Sequence, residues 1–256
     1  KTFGPVVKES TWMTEAKLTM LGVGHSEAIN HWNNNAMIEA NGHRLLIDAG
    51  YTIKFALRDR GYTPQDIDAI FITHVHADHC FGLERLAYEC RFSYGFKPTL
   101  YLPPGVYEEL WMHTLKGVMG QVGEGPAELR DFFDIVLVDE SGFEFEGVDL
   151  QLFQNRHTPN KPSYGLFINQ RLFFSGDTRP IPDIVSRYNP KIILHDSTLS
   201  NWNPVHASLT ELRECYPKAV RKRMYLMSYE DYFENYRLEV EEDFAGFAEQ
   251  GQEFDV

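Results

Sequence analysis

The chain has 256 residues, 43% of them hydrophobic, and 24 basic side chains against 37 acidic ones, for a formal net charge of −13. This length and apolar content suit one enzyme-sized domain over residues 1–256, and no apolar stretch is long enough to cross a membrane as a helix. The acidic excess disfavours a protein that grips long nucleic acid, because such proteins carry a basic stripe for the phosphates.

Early strands are expected over residues 15–21, 36–39 and 44–47, then a helix from about 52 to 60. An apolar run at 67–72 reads as a buried strand leading into Thr73-His74-Val75-His76-Ala77-Asp78-His79, with a helix from 78 to about 88. A strand at 99–102 precedes Pro103-Pro104, which punctuates the start of a helix through Tyr107 to about 115. Residues 117–125 are glycine-rich and polar, and read as a loop. The second half predicts strands near Ile135 and Leu150 and at 164–168, 171–174, 192–195 and 224–227, with helices near 181–187 and 208–215. Asn169-Gln170 between apolar runs predicts a tight hairpin turn. No linker, repeat or low-complexity tract divides the chain, so the body of the domain is expected over 14–229. The acidic tail, 230–256, is expected as an amphipathic helix on that body or as a subunit contact.

The histidine pattern at 74–79 is the most specific signal. Alternate residues at a strand end point the same way, so His74 and His76 can share one metal ion. Asp78 and His79 lie where the chain turns into a helix and can face a second ion. Imidazole with carboxylate suits zinc, with manganese, iron or nickel as alternatives set by availability. Two more ligand-type residues stand at strand ends, His157 in Asn155-Arg156-His157-Thr158-Pro159 and Asp177 in Ser175-Gly176-Asp177-Thr178. Taken alone, the first is an ordinary surface histidine and the second an ordinary turn carboxylate. Cys80, beside His79, falls on the first helical turn and is expected to pack rather than to bind. With Cys90 and Cys215 it forms no even framework, and no charged-then-apolar leader is evident, so reduced thiols in the cytoplasm are expected.

Together and in this order, these residues resemble the metallo-β-lactamase superfamily, whose fold is an α/β sandwich of αββα layers with two mixed sheets and outer helices. The resemblance implies two divalent metal ions. His74, His76 and His157 would hold the first, Asp78 and His79 the second, and Asp177 would bridge them. It also implies that Asp48, in Leu45-Leu46-Ile47-Asp48-Ala49-Gly50, orients a ligand from behind. In the ribonuclease-Z-like branch a late strand ends in a histidine that completes the second site. Here that strand reads Met224-Tyr225-Leu226-Met227-Ser228-Tyr229, so Ser228 takes the position, and no histidine follows His206. A hydroxyl is a poorer ligand than imidazole, so weaker binding of the second ion is expected. His195-Asp196-Ser197-Thr198 and Val205-His206-Ala207-Ser208-Leu209 resemble two further motifs of that branch, which implies that Asp196 and His206 cooperate on the leaving-group proton. Otherwise Asp196 is a turn carboxylate and His206 a helix-start residue beside a capping serine.

More narrowly, Asn33-Asn34-Asn35-Ala36, Thr158-Pro159-Asn160-Lys161-Pro162-Ser163-Tyr164 and Val205 to Leu209 resemble the phage anti-Pycsar proteins and their bacterial relatives. This implies a homodimeric phosphodiesterase that opens cyclic mononucleotides such as cyclic CMP and cyclic UMP. For a phage-encoded chain the setting would be the host bacterial cytoplasm, and the purpose evasion of cyclic-nucleotide signalling. Lys161 would then meet phosphate and Tyr164 the base, although a lysine between asparagine and proline is otherwise an ordinary solvated loop residue. Two other classes stay open. One is a different hydrolase of the same fold: a tRNA 3′ processing endonuclease, a lactonase or a β-lactamase. The other is a nucleotide-binding protein whose catalysis Ser228 has weakened.

Overall fold

Short apolar runs build two mixed sheets in a computed structural model that describes residues 15–256; residues 1–14 of the expected domain lie outside the described residues. The first half supplies β1 (Lys17–Gly22), β2 (Asn35–Ala40), β3 (His43–Ile47), β4 (Ala69–Phe71) and β5 (Thr99–Leu102). A small ribbon of β6 (Gln121–Val122) and β7 (Gly125–Pro126) follows, and then β8 (Asp134–Leu137). The second half supplies β9 (Phe143–Phe145), β10 (Val148–Gln154), β11 (Tyr164–Ile168), β12 (Leu172–Phe174), β13 (Ile192–Asp196), β14 (Met224–Met227), β15 (Gly246–Phe247) and β16 (Glu253–Asp255).

One sheet runs β16-β1-β2-β3-β4-β5-β8 and the other β15-β14-β13-β12-β11-β10-β9. Each is antiparallel on one side and parallel on the other, with β3, β4, β5 and β8 parallel in the first and β12 to β15 parallel in the second. Every residue of β4 and of β12 is buried. A strand buried on both faces reads as a continuous apolar run, because it has cover above and below. Here that cover is the opposite sheet on one face and helices on the other, which is the expected αββα layering. Phe153 of β10 and Phe173 of β12 stack with centroids 4.2 Å apart inside one continuous core. The helices are α1 (Ile53–Asp59), α2 (Ala77–Cys80), α3 (Leu83–Tyr88), α4 (Val106–Leu110), α5 (Lys116–Met119), α6 (Pro182–Tyr188), α7 (Leu209–Cys215), α8 (Lys218–Arg221) and α9 (Arg237–Asp243). On α1 the buried residues Ile53, Ala56 and Leu57 fall at helical spacing, so one stripe faces inward. Asn169 and Gln170, at φ 48° and 52°, form the expected tight turn with both central residues left-handed.

Four expectations change. The helix expected over 78–88 breaks after α2, where Gly82 crosses the β3–α1 turn. A Cβ on Gly82 would lie 2.4 Å from the Gly50 carbonyl oxygen, and one on Gly50 would lie 1.9 Å from that of Asp78. The two glycines let backbones touch, and the Ala49 amide donates to the His79 carbonyl at 2.8 Å. The helix expected through 115 widens into a π-helical turn at Trp111–Leu115, and the loop expected over 117–125 is α5 followed by the β6–β7 ribbon. The tail expected to be helical is helical only at Phe233–Tyr236 and α9; beyond them β15 pairs with β14, and β16 pairs with β1 in the opposite sheet.

Candidate metal centre

The sequence-derived site residues gather at one edge of the sandwich. Asp48 follows β3, His74 to His79 follow β4, His157 follows β10, Asp177 follows β12, Asp196 closes β13 and Ser228 follows β14. The carboxyl ends of parallel strands are where an open α/β sheet leaves side chains converging beyond the ladder. His74, His76 and His157 have ring nitrogens within 4.8 Å of one another, as do the donor atoms of His74, His79 and Asp177. His76 Nδ1 lies 3.0 Å from His74 Nε2 and 3.2 Å from His157 Nε2. The nearer Asp177 oxygen is 3.2 Å from His79 Nε2 and 4.0 Å from the Nε2 atoms of His74 and His157. Asp78 Oδ2 is 3.2 Å from His79 Nε2.

The outer nitrogens decide what the inner ones can do. Asp48 accepts the Thr73 amide at 2.8 Å, the Thr73 hydroxyl at 2.8 Å and His79 Nδ1–H at 2.7 Å. Because the Thr73 hydroxyl donates to Asp48, its oxygen accepts from His74 Nδ1 at 3.0 Å. His157 Nδ1–H donates to the Val205 carbonyl at 3.0 Å. Three imidazoles are thus fixed with Nε2 turned inward: those of His74 and His157 present lone pairs, and that of His79 faces the Asp177 and Asp78 carboxylates, which hold a proton or a metal ion there. Lone pairs facing lone pairs repel unless a cation lies between them, so the donor set fits divalent metal ions. The charges agree. Burial opposes a proton on His79, but Asp177, Asp78 and Asp48 outweigh it and hold its pKa well above the usual histidine value. Among the described residues these three carboxylates pair with histidine and with no lysine or arginine.

Ser228 lies against this cluster, with its hydroxyl donating to the second Asp177 oxygen at 3.5 Å. Its φ of 64° and that of Asp48, 67°, are left-handed, a strain of about 1–3 kcal/mol each that recurs at functional sites.

Beside the cluster, His206 Nδ1 lies 2.7 Å from Asp196 Oδ2, which also accepts the Thr178 amide at 2.8 Å. Burial disfavours the imidazolium, but Asp196, with Asp177 behind it, raises the His206 pKa to about 10. Nearby divalent cations would bring that value down. The His206 ring centroid is 5.1 Å from that of His157 and 5.7 Å from that of His25. Ser208 caps α7 in a reciprocal pair with Glu211, so the helix start is satisfied without His206. Cys80 is fully buried with its thiol pushed up to about 12 by burial, as a packing residue would be.

Lys161 and Tyr164, expected at the substrate, each have a partner within the protein. Tyr164 is 5% exposed within β11, and its hydroxyl donates to the Pro104 carbonyl at 3.3 Å. The Lys161 ammonium donates to the Val75 carbonyl at 3.0 Å and pairs with Glu109. Sequence reasoning missed Thr73, the Val205 carbonyl and His25. It also missed a pair of clamps just past Ser228. Glu230 accepts the Thr198 hydroxyl and the Leu199 amide, while Asp231 accepts the amides of Ile29 and Asn30. These bonds hold the two loops that carry His206 and His25.

Comparison with known proteins follows the same lines. The family described as "Anti-Pycsar protein Apyc1" matches residues 16–254. The protein of that name from Paenibacillus xerothermodurans is 36% identical over 226 residues, covering 86% of this chain and 90% of the relative. Its namesake from Bacillus phage 010DV004 is 32% identical over 237 residues, covering 86% and 91%. The metallo-beta-lactamase fold protein YhfI from Bacillus subtilis superposes with a TM-score of 0.75 over 94% of this chain and 100% of its own, at 15% identity. A match along nearly the whole described length, with a third of the residues shared, makes this chain a member of the anti-Pycsar Apyc1 family built on the metallo-β-lactamase fold.

Proposed function

We propose that the chain is a metal-dependent phosphodiesterase that hydrolyses cyclic mononucleotides, cyclic CMP and cyclic UMP among them, to linear nucleotides. The observation that carries this reading is the Asp196–His206 pair, bonded at 2.7 Å beside a cluster of inward lone pairs. A phosphodiesterase needs a proton for the departing ribose oxygen, and Asp196 leaves His206 with only Nε2 to supply it. Family membership and the net charge of −13 support a small nucleotide over a polynucleotide.

Two divalent ions, zinc foremost and manganese, iron or nickel otherwise, would be held by His74, His76 and His157, and by Asp78 and His79, with Asp177 between. When bound, such ions lower the pKa of water and offset charge on the phosphoryl group. The chain's residues supply the rest. Asp78, at 13% exposure, is the most open of the three carboxylates around His79 and orients the attacking water. Asp48 orients the His79 ring, and His206 delivers the proton to the departing ribose oxygen.

The same reading takes the chain as one domain acting as a homodimer in the cytoplasm of a bacterial host, where it removes signalling nucleotides. Met112 and Val118, more than half exposed on the π-helical turn and α5, support a subunit contact there, with the β6–β7 ribbon closing over a pocket. No described helix is long and apolar enough to cross a membrane. Incubation of the purified protein with a panel of cyclic nucleotides, followed by chromatography and elemental analysis, tests the reading. Ring-opened products and bound metal are expected; cleavage of precursor tRNA with no action on any cyclic mononucleotide would overturn it. A weakened, nucleotide-binding form is the second reading, favoured by Ser228 beside Asp177 and recognised by binding without turnover.

A further inference from the structure

We propose that the Lys161–Glu109 ion pair is a positioning device for the His74–His76 turn, acting through the Val75 carbonyl, and that it sets how tightly the first ion is held. The inference rests on the reading of the histidine cluster as a metal site.

Val75 lies between the two histidines of the turn, and its carbonyl accepts the Lys161 ammonium at 3.0 Å. The same ammonium pairs with Glu109 on α4, and both side chains are mostly buried, at 21% and 22% exposure. Three segments far apart in sequence therefore meet at one nitrogen: the turn after β4, the loop after His157, and α4. Other bonds show that the loop is aimed rather than adrift. The Tyr164 amide donates to the Thr73 carbonyl at 3.1 Å, His74 bridges to Ser163, and the Lys161 amide closes a turn on the Thr158 carbonyl at 3.2 Å. Asn160 adopts a left-handed φ of 59° between Pro159 and Lys161, and Pro162 packs under Gly105 at the start of α4. Pro159 and Pro162 restrict the backbone of this loop, so carrying Lys161 to Val75 costs chiefly the freedom of its own side chain.

The physical consequence concerns geometry. Residues at a strand end share a face only while the backbone between them keeps its extended shape. Val75 sits past the last residue of β4, where the ladder has ended, and Lys161 substitutes for a missing neighbour. Without the ammonium, the peptide between His74 and His76 can rotate, and their nitrogens lose the spacing one ion requires. Groups just outside a ligand set typically alter metal affinity by about 10–100-fold. A cation this close to a metal site would also repel the ion, and Glu109 cancels that charge.

The test measures affinity for zinc alone by competition with a chelator of known strength, alongside the melting temperature of the metal-free proteins. Lys161→Met is expected to weaken the tighter site by at least about tenfold, while Lys161→Arg retains affinity within about threefold. Glu109→Gln, which keeps size and removes only charge, is expected to weaken it at least threefold. The double substitution should be no worse than the more affected single one, because both break one device. A purely structural role would lower the metal-free melting temperature and leave affinity unchanged. If Lys161→Met does not fold, Glu109→Gln and Lys161→Arg decide by the same readout. Affinities within twofold of the unaltered protein in Lys161→Met, or in Glu109→Gln if the former is unfolded, overturn the proposal. An unaltered protein that binds no zinc overturns the metal reading instead.

Discussion

Mild acid should destabilise this fold through His195. The residue is fully buried on β13. Its Nδ1–H donates to the Asp196 carbonyl at 2.8 Å, and its Nε2 accepts the Tyr216 hydroxyl at 2.9 Å. The Tyr216 oxygen in turn accepts the Ile181 amide at 2.8 Å, so the chain of donors runs one way and has no place for a second imidazole proton. Burial lowers the His195 pKa to about 4, against 6.5 when the chain is unfolded. The unfolded state therefore binds the proton first. Stability is complete above the unfolded value and is lost as pH falls from 6.5 toward 4. The shift corresponds to about 3 kcal/mol in full, of which about 2 kcal/mol is already lost near pH 5. Urea unfolding of the chelator-treated protein at about pH 7.5 and pH 5, compared with His195→Gln, isolates this group, since the ligand histidines titrate in both proteins. The unaltered protein should lose about 2 kcal/mol more than the variant between the two pH values. Equal losses, within about 0.5 kcal/mol, would refute a neutral buried His195 as the cause.

After extensive dialysis, elemental analysis should find at least one ion per chain with the second site partly filled, and Ser228→His should raise that second occupancy and the turnover. Histidine tolerates the left-handed φ of 64° found at this position better than most residues do. His206→Ala should slow hydrolysis of cyclic nucleotides by roughly a hundredfold or more at unchanged metal content; a parallel loss of metal would make His206 a ligand, as its place within 4.8 Å of His157 and Asp177 permits. Light scattering should give twice the 29.6 kDa chain mass. A strictly monomeric active protein would remove the subunit contact and leave the chemistry standing.

What was legible in the sequence depended on how local its signal was. The run from Thr73 to His79 carries four ligand-type residues within one strand end and one helical turn, so periodicity alone aims them. His157, Asp177 and Asp196 stand at strand ends, but only the family resemblance singled them out, because a lone histidine or turn carboxylate carries no pattern of its own. The partners that fix the tautomers were not legible. The Val205 carbonyl lies 48 residues from His157 and belongs to a backbone no side-chain pattern marks. Lys161 reads as a solvated loop residue because its anion, Glu109, lies 52 residues upstream and is one of many acidic side chains. Tyr164 opens a five-residue strand, Tyr164-Gly165-Leu166-Phe167-Ile168, that is buried throughout, as an apolar run in the interior should be. The tail escaped because strands of two or three residues show no alternation to read.

The pairing of β16 with β1 places the two ends of the described chain side by side, with Lys17 and Glu253 bonded across 236 positions. During synthesis this gap is a delay. At synthesis rates of about 5–20 residues per second, β1 waits roughly ten to fifty seconds for its outer neighbour. Through that interval the first sheet has an open edge, with unpaired amides and carbonyls able to recruit another nascent chain. The closing strand, Glu253-Phe254-Asp255, is short and bears two charges around one buried ring, so it ends the ladder as it completes it. The first sheet is thus completed only when β16 arrives, and cleavage between β15 and β16 would leave a protein with its histidines in place and its edge exposed to association.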